Sequence, residues 1–406
     1  MAGVKVIACP FVRVVAGPCL PSWALKPGNL RRMPSEYNSL HALASDAISK
    51  RVIPGAVVAV GRAGQAPLIQ AFGQRQVEPQ SAPAAIDTVY DLASLTKALV
   101  TSVLFMRAVA ESRLTLDDSL GRHMDSLADR PEVTLRRVLA HAGGFPAHRK
   151  FYDDLLDKAD PRPVGAQAVL TLAAAEPLAY APGSRSVYSD LGFILLGAVV
   201  ERVLGGRLDE LAERLIFGPL GIGLRFVDLR VQTPAANLGG SPVAPTERCP
   251  VRRRLVVGEV HDLNAFAMGG VAGHAGLFGR ASDVLRLAFA LCAAYHGRGL
   301  DGGVPIVSPQ ILREFWQPAG VPGSTWRLGW DGPSDHGSLA GDLISRRAVG
   351  HLGFTGCSLW MDPDQETCVV VLTNRVHPIV RDDPRFRALR PALHDAALRA
   401  IDYGAE

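Results

Sequence analysis

The spacing of apolar and polar positions divides the chain into β-rich ends around a helical middle. Between Ser35 and Arg51, Leu40, Leu43, Ala44 and Ile48 recur at helical spacing, which predicts an amphipathic helix stopped by Pro54-Gly55. Two short β-rich runs follow, Ala56–Val60 and Pro67–Phe72, and the Gly61-Arg-Ala-Gly64 segment between them predicts an antiparallel hairpin. Asp87–Leu92 then leads into an apolar helix that runs to about Glu111.

From Ala110 to Leu220 the β pattern disappears. A turn into a short helix at Leu114–Leu120, a helix from Thr134 stopped by Gly143-Gly144, and helical segments over Val164–Ala175, Ser189–Leu204 and Leu208–Phe217 read as an insertion. Gly, Pro and Ala dominate the irregular stretch Gly221–Pro245, and a helix is expected over Ser282–Tyr295. β character returns at Trp326–Trp330, Ala348–Leu352, Cys357–Met361 and Cys368–Thr373, the last two joined by the turn residues Asp362–Glu366, before a closing helix over Pro391–Ile401. The expected fold class is α/β (α+β): an antiparallel sheet flanked by helices, with an inserted all-helical lobe. Residues 1–34 read as a leader or disordered extension and 35–400 as one domain, with a sheet lobe over 35–110 plus 265–400 and a helical lobe over 111–264.

Composition narrows the function. A chain of 406 residues that is 48% hydrophobic and 20% charged can bury a large core. The net charge of +4 arises from dispersed arginines, so neither nucleic acid nor an anionic membrane is expected as a partner, and the triplet Arg252–Arg254 reads as a solvated turn. The six cysteines include no C-x-x-C pair, which argues against a disulfide framework and a zinc knuckle. The apolar run Val6–Leu20 is broken by Pro10, Arg13 and Pro18, a poor export signal, and no stretch reaches the length of a membrane span. A cytoplasmic location is expected, with a periplasmic or secreted one left open.

The chemistry-bearing stretch is Tyr90–Phe105, where Ser94 and Lys97 stand three residues apart ahead of an apolar run. Residues at i and i+3 of a helix share a face, with Cβ atoms about 5–6 Å apart, so the lysine amine can reach the serine hydroxyl. Burial would favour the neutral amine, a base for the serine proton. A helix cap followed by a surface lysine would give the same spacing. Two further features stand out. Tyr188-Ser189-Asp190 precedes an apolar helix, where Asp190 suits an N-cap. Val349–Gly356 sets His351 on a strand flanked by glycines, a pattern of close backbone approach that an edge histidine would also fit.

Taken in order, Ser94-x-x-Lys97, Tyr188-x-Asp190 and His351-x-Gly353 around a helical insertion resemble the serine β-lactamase and penicillin-binding-protein superfamily, from about Tyr37 to Leu398. The branch most similar in pattern is that of class C β-lactamases, D-alanyl-D-alanine carboxypeptidases and family VIII esterases. Leu139–Phe145 and Ala181–Ser184 resemble stretches that frame the pocket in relatives. The resemblance implies a serine hydrolase with no cofactor, in which Ser94 is acylated, Lys97 and Tyr188 share its proton, and the N–H groups of Ser94 and Phe354 hold the oxyanion. It implies substrate contacts at Asp190, His351 and Gly353, the glycine leaving room for the acyl group.

Two departures redirect the chemistry. The tyrosine motif ends in Asp190 where β-lactamases usually carry asparagine, and Asp190 cannot donate an amide hydrogen bond. The third motif opens with His351 where they usually carry lysine, so only a weaker, pH-dependent charge is expected for a substrate carboxylate. Efficient β-lactam hydrolysis is therefore not expected. The leading expectation is an esterase-like hydrolase of a small ester or amide; the alternatives are a D-alanyl-D-alanine carboxypeptidase or amidase on peptidoglycan fragments, a weak β-lactamase, and a non-catalytic binding module. A fourth stretch, Gly258–Asn264 followed by His274, lacks metal-ligand spacing, so no metal is expected; similar runs occur in superfamily hydrolases that accompany cell-wall recycling genes, which implies that His261 and His274 line the pocket.

Overall fold

Strand β1 (Gly55–Arg62) is apolar at nearly every position because both of its faces are covered. In the computed structural model, which describes residues 35–402, Val58 and Val60 point into one hydrophobic cluster and Val57 and Ala59 into another. The expected leader over 1–34 lies outside the described residues. β1 pairs antiparallel with β2 (Leu68–Gln76), Val57 opposite Ala71, which forms the expected hairpin.

β3 (Ala82–Pro83) closes one edge of the sheet. β4 (Tyr90–Asp91), β5 (Arg225–Phe226) and β6 (Leu277–Gly279) form a separate small sheet in the order β4-β6-β5. The C-terminal strands β7 (Val349–Leu352), β8 (Ser358–Asp362) and β9 (Thr367–Thr373) complete a six-stranded sheet in the order β7-β8-β9-β1-β2-β3. β9 pairs with β1, Val371 opposite Val58, so the two ends of the chain share one core. On one face lie α1 (Ser35–Ser49) and a C-terminal helix; the helix Ala281–Tyr295 covers the other.

Three expectations change. Trp326–Trp330 is not a strand: Gly329 is left-handed, and a Cβ there would run into Ser102, so only Asp331 bridges β7, through Gly350. The closing helix begins at Pro384, not Pro391, because Phe386 and Leu389 continue the apolar face of Leu393 and Ala397 against the sheet. The block between the sheet segments is helical to Leu220, but its second half carries β5 and two-residue strand pairs over 237–242 and 248–255.

Candidate active site

Ser94 stands on a tightly bonded turn after β4. The Asp91 carboxylate accepts from Ala93 N two residues on (2.8 Å) and from His261 N (2.6 Å). Ala93 takes φ of 47°, the left-handed region, at a cost of about 1–2 kcal/mol for a residue with a Cβ. Single-turn hydrogen bonds, Thr96 N to Ala93 O and Lys97 N to Ser94 O, follow. The regular helix expected at Ser94 is instead a wide π turn over Lys97–Ser102 and then α2 (Val103–Ala110). This turn buries Lys97 completely. Its Nζ donates to Ser94 Oγ (2.9 Å) and His274 O (3.0 Å) and lies 2.8 Å from Asp190 Oδ1.

Asp190 can face the lysine because it is not the cap. Ser189 is the N-cap of α3 (Asp190–Leu204): its Oγ accepts from Gly192 N, and its own N–H donates to His141 Nδ1. That leaves the Asp190 carboxylate at the first helical position, with Oδ2 3.1 Å from His148 Nδ1. The Tyr188 ring lies 4.9 Å from Lys97 Nζ, and its phenol interacts electrostatically with Lys97 and Ser94. Tyr188 stacks on Trp326 (5.5 Å between centroids) and packs on His141 (4.6 Å). His148 and Trp326 join the site from positions that carry no local sequence signal; their partners lie 42 and 138 residues away in the chain.

The charges form a buried pair. Burial alone would push the Lys97 pKa down, but Asp190 and Tyr188 together outweigh it and hold the lysine above its ordinary value. Burial would likewise raise Asp190, yet Lys97 and His148 hold its carboxyl well below the carboxylate range. Tyr188 is raised, burial outweighing the ammonium beside it. The resting site thus holds an ammonium and a carboxylate, where the sequence reading looked for a free amine or a phenolate. His148 is raised by its bond to Asp190.

The third motif is corrected in charge. His351 is buried on β7 opposite Leu359, and its Nδ1 lies 2.8 Å from Leu352 O. Burial and Lys97 push its pKa down to about 3, so His351 is neutral near pH 7 and offers no cation to a substrate. The backbone also requires Gly353: a Cβ there would sit 2.7 Å from Leu92 O, against the backbone leading into Ser94. Gly353→Ala is expected to destabilise the fold by about 1–3 kcal/mol through this clash, visible as a lower melting temperature. An unchanged melting temperature would show that the Leu92 turn yields.

Ser94, Tyr188, Trp326, His351, Gly353 and Phe354 line one cavity of about 420 Å³. His261 and His274 are not among its lining residues. His261 stacks on Phe354 (5.5 Å), and His274 Nε2 lies 2.9 Å from Asp262, the N-cap residue of α4 (Leu263–Ala267). His261 thus backs Phe354 in the wall, while the His274 carbonyl accepts from Lys97. Of the triplet read as a solvated turn, Arg253 and Arg254 are exposed and Arg252 alone is buried: it donates to Val260 O and His261 O and, with Arg254, encloses buried Glu259 beside the loop whose His261 N–H donates to Asp91. Neighbouring N–H groups at Ala93, Leu95 and Thr96 have acceptors; among the described residues none is found for the N–H of Ser94 or Phe354.

Residues 40–394 match the family model described as Beta-lactamase, and the chain belongs to that family. It is 32% identical over 321 residues to the "Putative D-alanyl-D-alanine carboxypeptidase" of Escherichia coli (strain K12), covering 75% of this chain and 73% of the relative. A relative of the same name from Salmonella schwarzengrund (strain CVM19633) is 30% identical over 72% of this chain and 71% of its own. Among solved structures, EstCE1, a hydrolase with promiscuous acyltransferase activity, superposes with a TM-score of 0.69 at 23% identity over 89% of this chain and 98% of its own. The octameric penicillin-binding protein homologue from Pyrococcus abyssi gives a TM-score of 0.64 at 23% identity, covering 83% and 73%. These structures establish the fold, and the family and its curated relatives make the chain a serine hydrolase.

Proposed function

We propose that Ser94 forms an acyl-enzyme on a peptide amide of the peptidoglycan type, with Lys97, Tyr188 and Asp190 handling its proton. The observation that carries this reading is the 2.9 Å contact between Ser94 Oγ and the fully buried Lys97 Nζ. Ser94 attacks the carbonyl while its proton passes through the Tyr188–Lys97 cluster. Shifting one proton from the ammonium to Asp190 turns the resting ion pair into a neutral amine and a carboxylic acid, an uphill exchange that burial makes less costly and that asparagine cannot accept. The free N–H groups of Ser94 and Phe354 serve the oxyanion, each worth about 2.7–4 kcal/mol in other hydrolases. The relay returns the proton to the leaving amine, and water then releases the acyl group.

The name carried by relatives at about 30% identity favours a D-alanyl-D-alanine peptide as acyl donor. Hydrolysis of a small ester is the second reading, supported by the neutral His351 and the apolar Trp326, Leu352 and Phe354 in the cavity wall. Among the described residues no helix is long and apolar enough to cross a membrane. The test is intact-mass spectrometry after exposure to p-nitrophenyl butyrate, an N-acyl-D-alanyl-D-alanine, a muropeptide and a β-lactam. An adduct mapped to Ser94 is expected from the peptide or ester; no adduct from any of them would leave the fold as a binding module.

A further inference from the structure

Asp91 is buried at the end of β4, three residues ahead of Ser94, and its hydrogen bonds run to both segments that carry the N–H groups of Ser94 and Phe354. Its carboxylate accepts from Ala93 N at 2.8 Å, which fixes the left-handed residue directly before Ser94, and from His261 N at 2.6 Å. Its carbonyl accepts from Thr355 Oγ1 at 2.8 Å and, more weakly, from Cys357 Sγ at 3.6 Å. Thr355 directly follows Phe354. Gly353, directly before it, meets Leu92 O so closely that a Cβ would stand 2.7 Å away. Phe354 is therefore seated from both sides against the two residues that lead into the nucleophile turn. The His261 ring closes the circuit by stacking on Phe354, 5.5 Å between centroids at 27°.

Two donors stabilise a developing oxyanion only if their separation is set before the reaction begins, since moving them at that moment costs what their hydrogen bonds would gain. Regular secondary structure does not set it here: Ser94 leaves β4 on a turn, and Phe354 lies beyond the end of β7. Burial raises the Asp91 pKa, and the N–H bonds from His261 and Ala93 oppose that rise. Among the described residues Asp91 forms no ion pair, so the cost of burying its carboxyl is offset by the backbone N–H groups it holds.

We infer that Asp91 is the positioning residue of the oxyanion hole, setting the distance between the Ser94 and Phe354 N–H groups through Ala93 on one side and through Thr355 and His261 on the other. The inference rests on the acyl-enzyme reading, in which those two groups hold the oxyanion. It also gives the Gly258–Asn264 stretch a part in the chemistry, because Asp91 anchors its backbone at His261 while the ring of that residue backs Phe354. Asp91→Asn keeps the shape but leaves one of the two N–H groups facing an amide donor. Thr355→Val keeps the branched side chain and removes only the hydroxyl that ties Phe354 to Asp91.

The test compares p-nitrophenyl butyrate with its thionoester, in which sulfur replaces the carbonyl oxygen, each rate being divided by that of alkaline hydrolysis. A hole fitted to oxygen accepts the larger, weaker sulfur acceptor poorly, and the wild-type protein is expected to favour the oxygen ester by about 10²- to 10³-fold, the worth of one donor. Asp91→Asn should lower kcat on the oxygen ester by about 10- to 100-fold with little change in KM, and should shrink the oxygen-to-sulfur preference by about tenfold. Thr355→Val should shift the preference in the same direction by less. A merely structural role would reduce the folded fraction and slow both esters alike, so the melting temperature of each variant is measured beside the ratio. A second measurement needs no turnover: the rate at which a fluorophosphonate phosphonylates Ser94 should fall about 10- to 100-fold in Asp91→Asn, because the phosphoryl oxygen occupies the same hole. An oxygen-to-sulfur preference and a phosphonylation rate both unchanged in Asp91→Asn would overturn the positioning role. A wild-type protein that is neither phosphonylated nor acylated at Ser94 would instead fault the acyl-enzyme reading on which the role depends.

Discussion

Ser94→Ala will remove fluorophosphonate labelling and reduce turnover of any substrate by about 10⁴- to 10⁶-fold, the range seen when a serine nucleophile is lost from a hydrolase. The residue is only partly buried in the cavity wall, and its Oγ has a lysine donor at 2.9 Å, so shortening it to alanine removes the nucleophile while the fold keeps its packing. Lys97→Ala should be nearly as damaging. Residues that act as one unit are grossly non-additive, so the double variant should be little worse than either single one. The two are separated by labelling, since the lysine variant retains a hydroxyl and should still react slowly with the probe. Full labelling of Ser94→Ala at another serine would remove Ser94 from the mechanism.

Legibility in the sequence followed the physics of each element. β1 and β9 were readable because burial on both faces makes the apolar run continuous, as in Thr367–Thr373, where every residue is buried. Trp326–Trp330 misled because aromatic residues read as β, while the deciding fact, the approach of Gly329 to Ser102, is tertiary. Pro391 resembled a helix start because proline suits the first turn, yet Pro384 fills that position seven residues earlier. In the site, Ser94, Lys97 and Tyr188 were visible by motif, and the structure gathers them around one cavity and one lysine. The protonation of the group was not visible. Lys97 reads as a candidate free amine until the carboxylate of Asp190 is seen 2.8 Å away, and His351 reads as a weak cation until its burial beside Lys97 is known.

Asp190→Asn is the substitution that tests that protonation state, and its signature lies in the acid limb of the pH profile. In the wild-type protein the pair Lys97–Asp190 carries one proton between two bases, and activity falls only when a second proton neutralises the carboxylate. Lys97 and His148 hold the Asp190 carboxyl well below its usual range, so kcat/KM should stay on its plateau down through pH 5. With asparagine the lysine loses the largest influence that raised its pKa, and burial, opposed only by Tyr188, pushes it down. The lysine must then shed its own proton to act as base. The acid limb therefore moves up, and the variant should lose activity at acid pH where the wild type still holds its plateau, recovering as pH rises. His148→Gln repeats the measurement without the imidazole, which its bond to Asp190 holds above its ordinary value, and should keep the acid limb low. Circular dichroism at each pH separates loss of catalysis from loss of fold, since removing one partner of a buried ion pair also weakens stability. A wild-type limb already lying between pH 6 and 7, or one unmoved by the asparagine, would return the general base to a free lysine and leave Asp190 with a purely structural part.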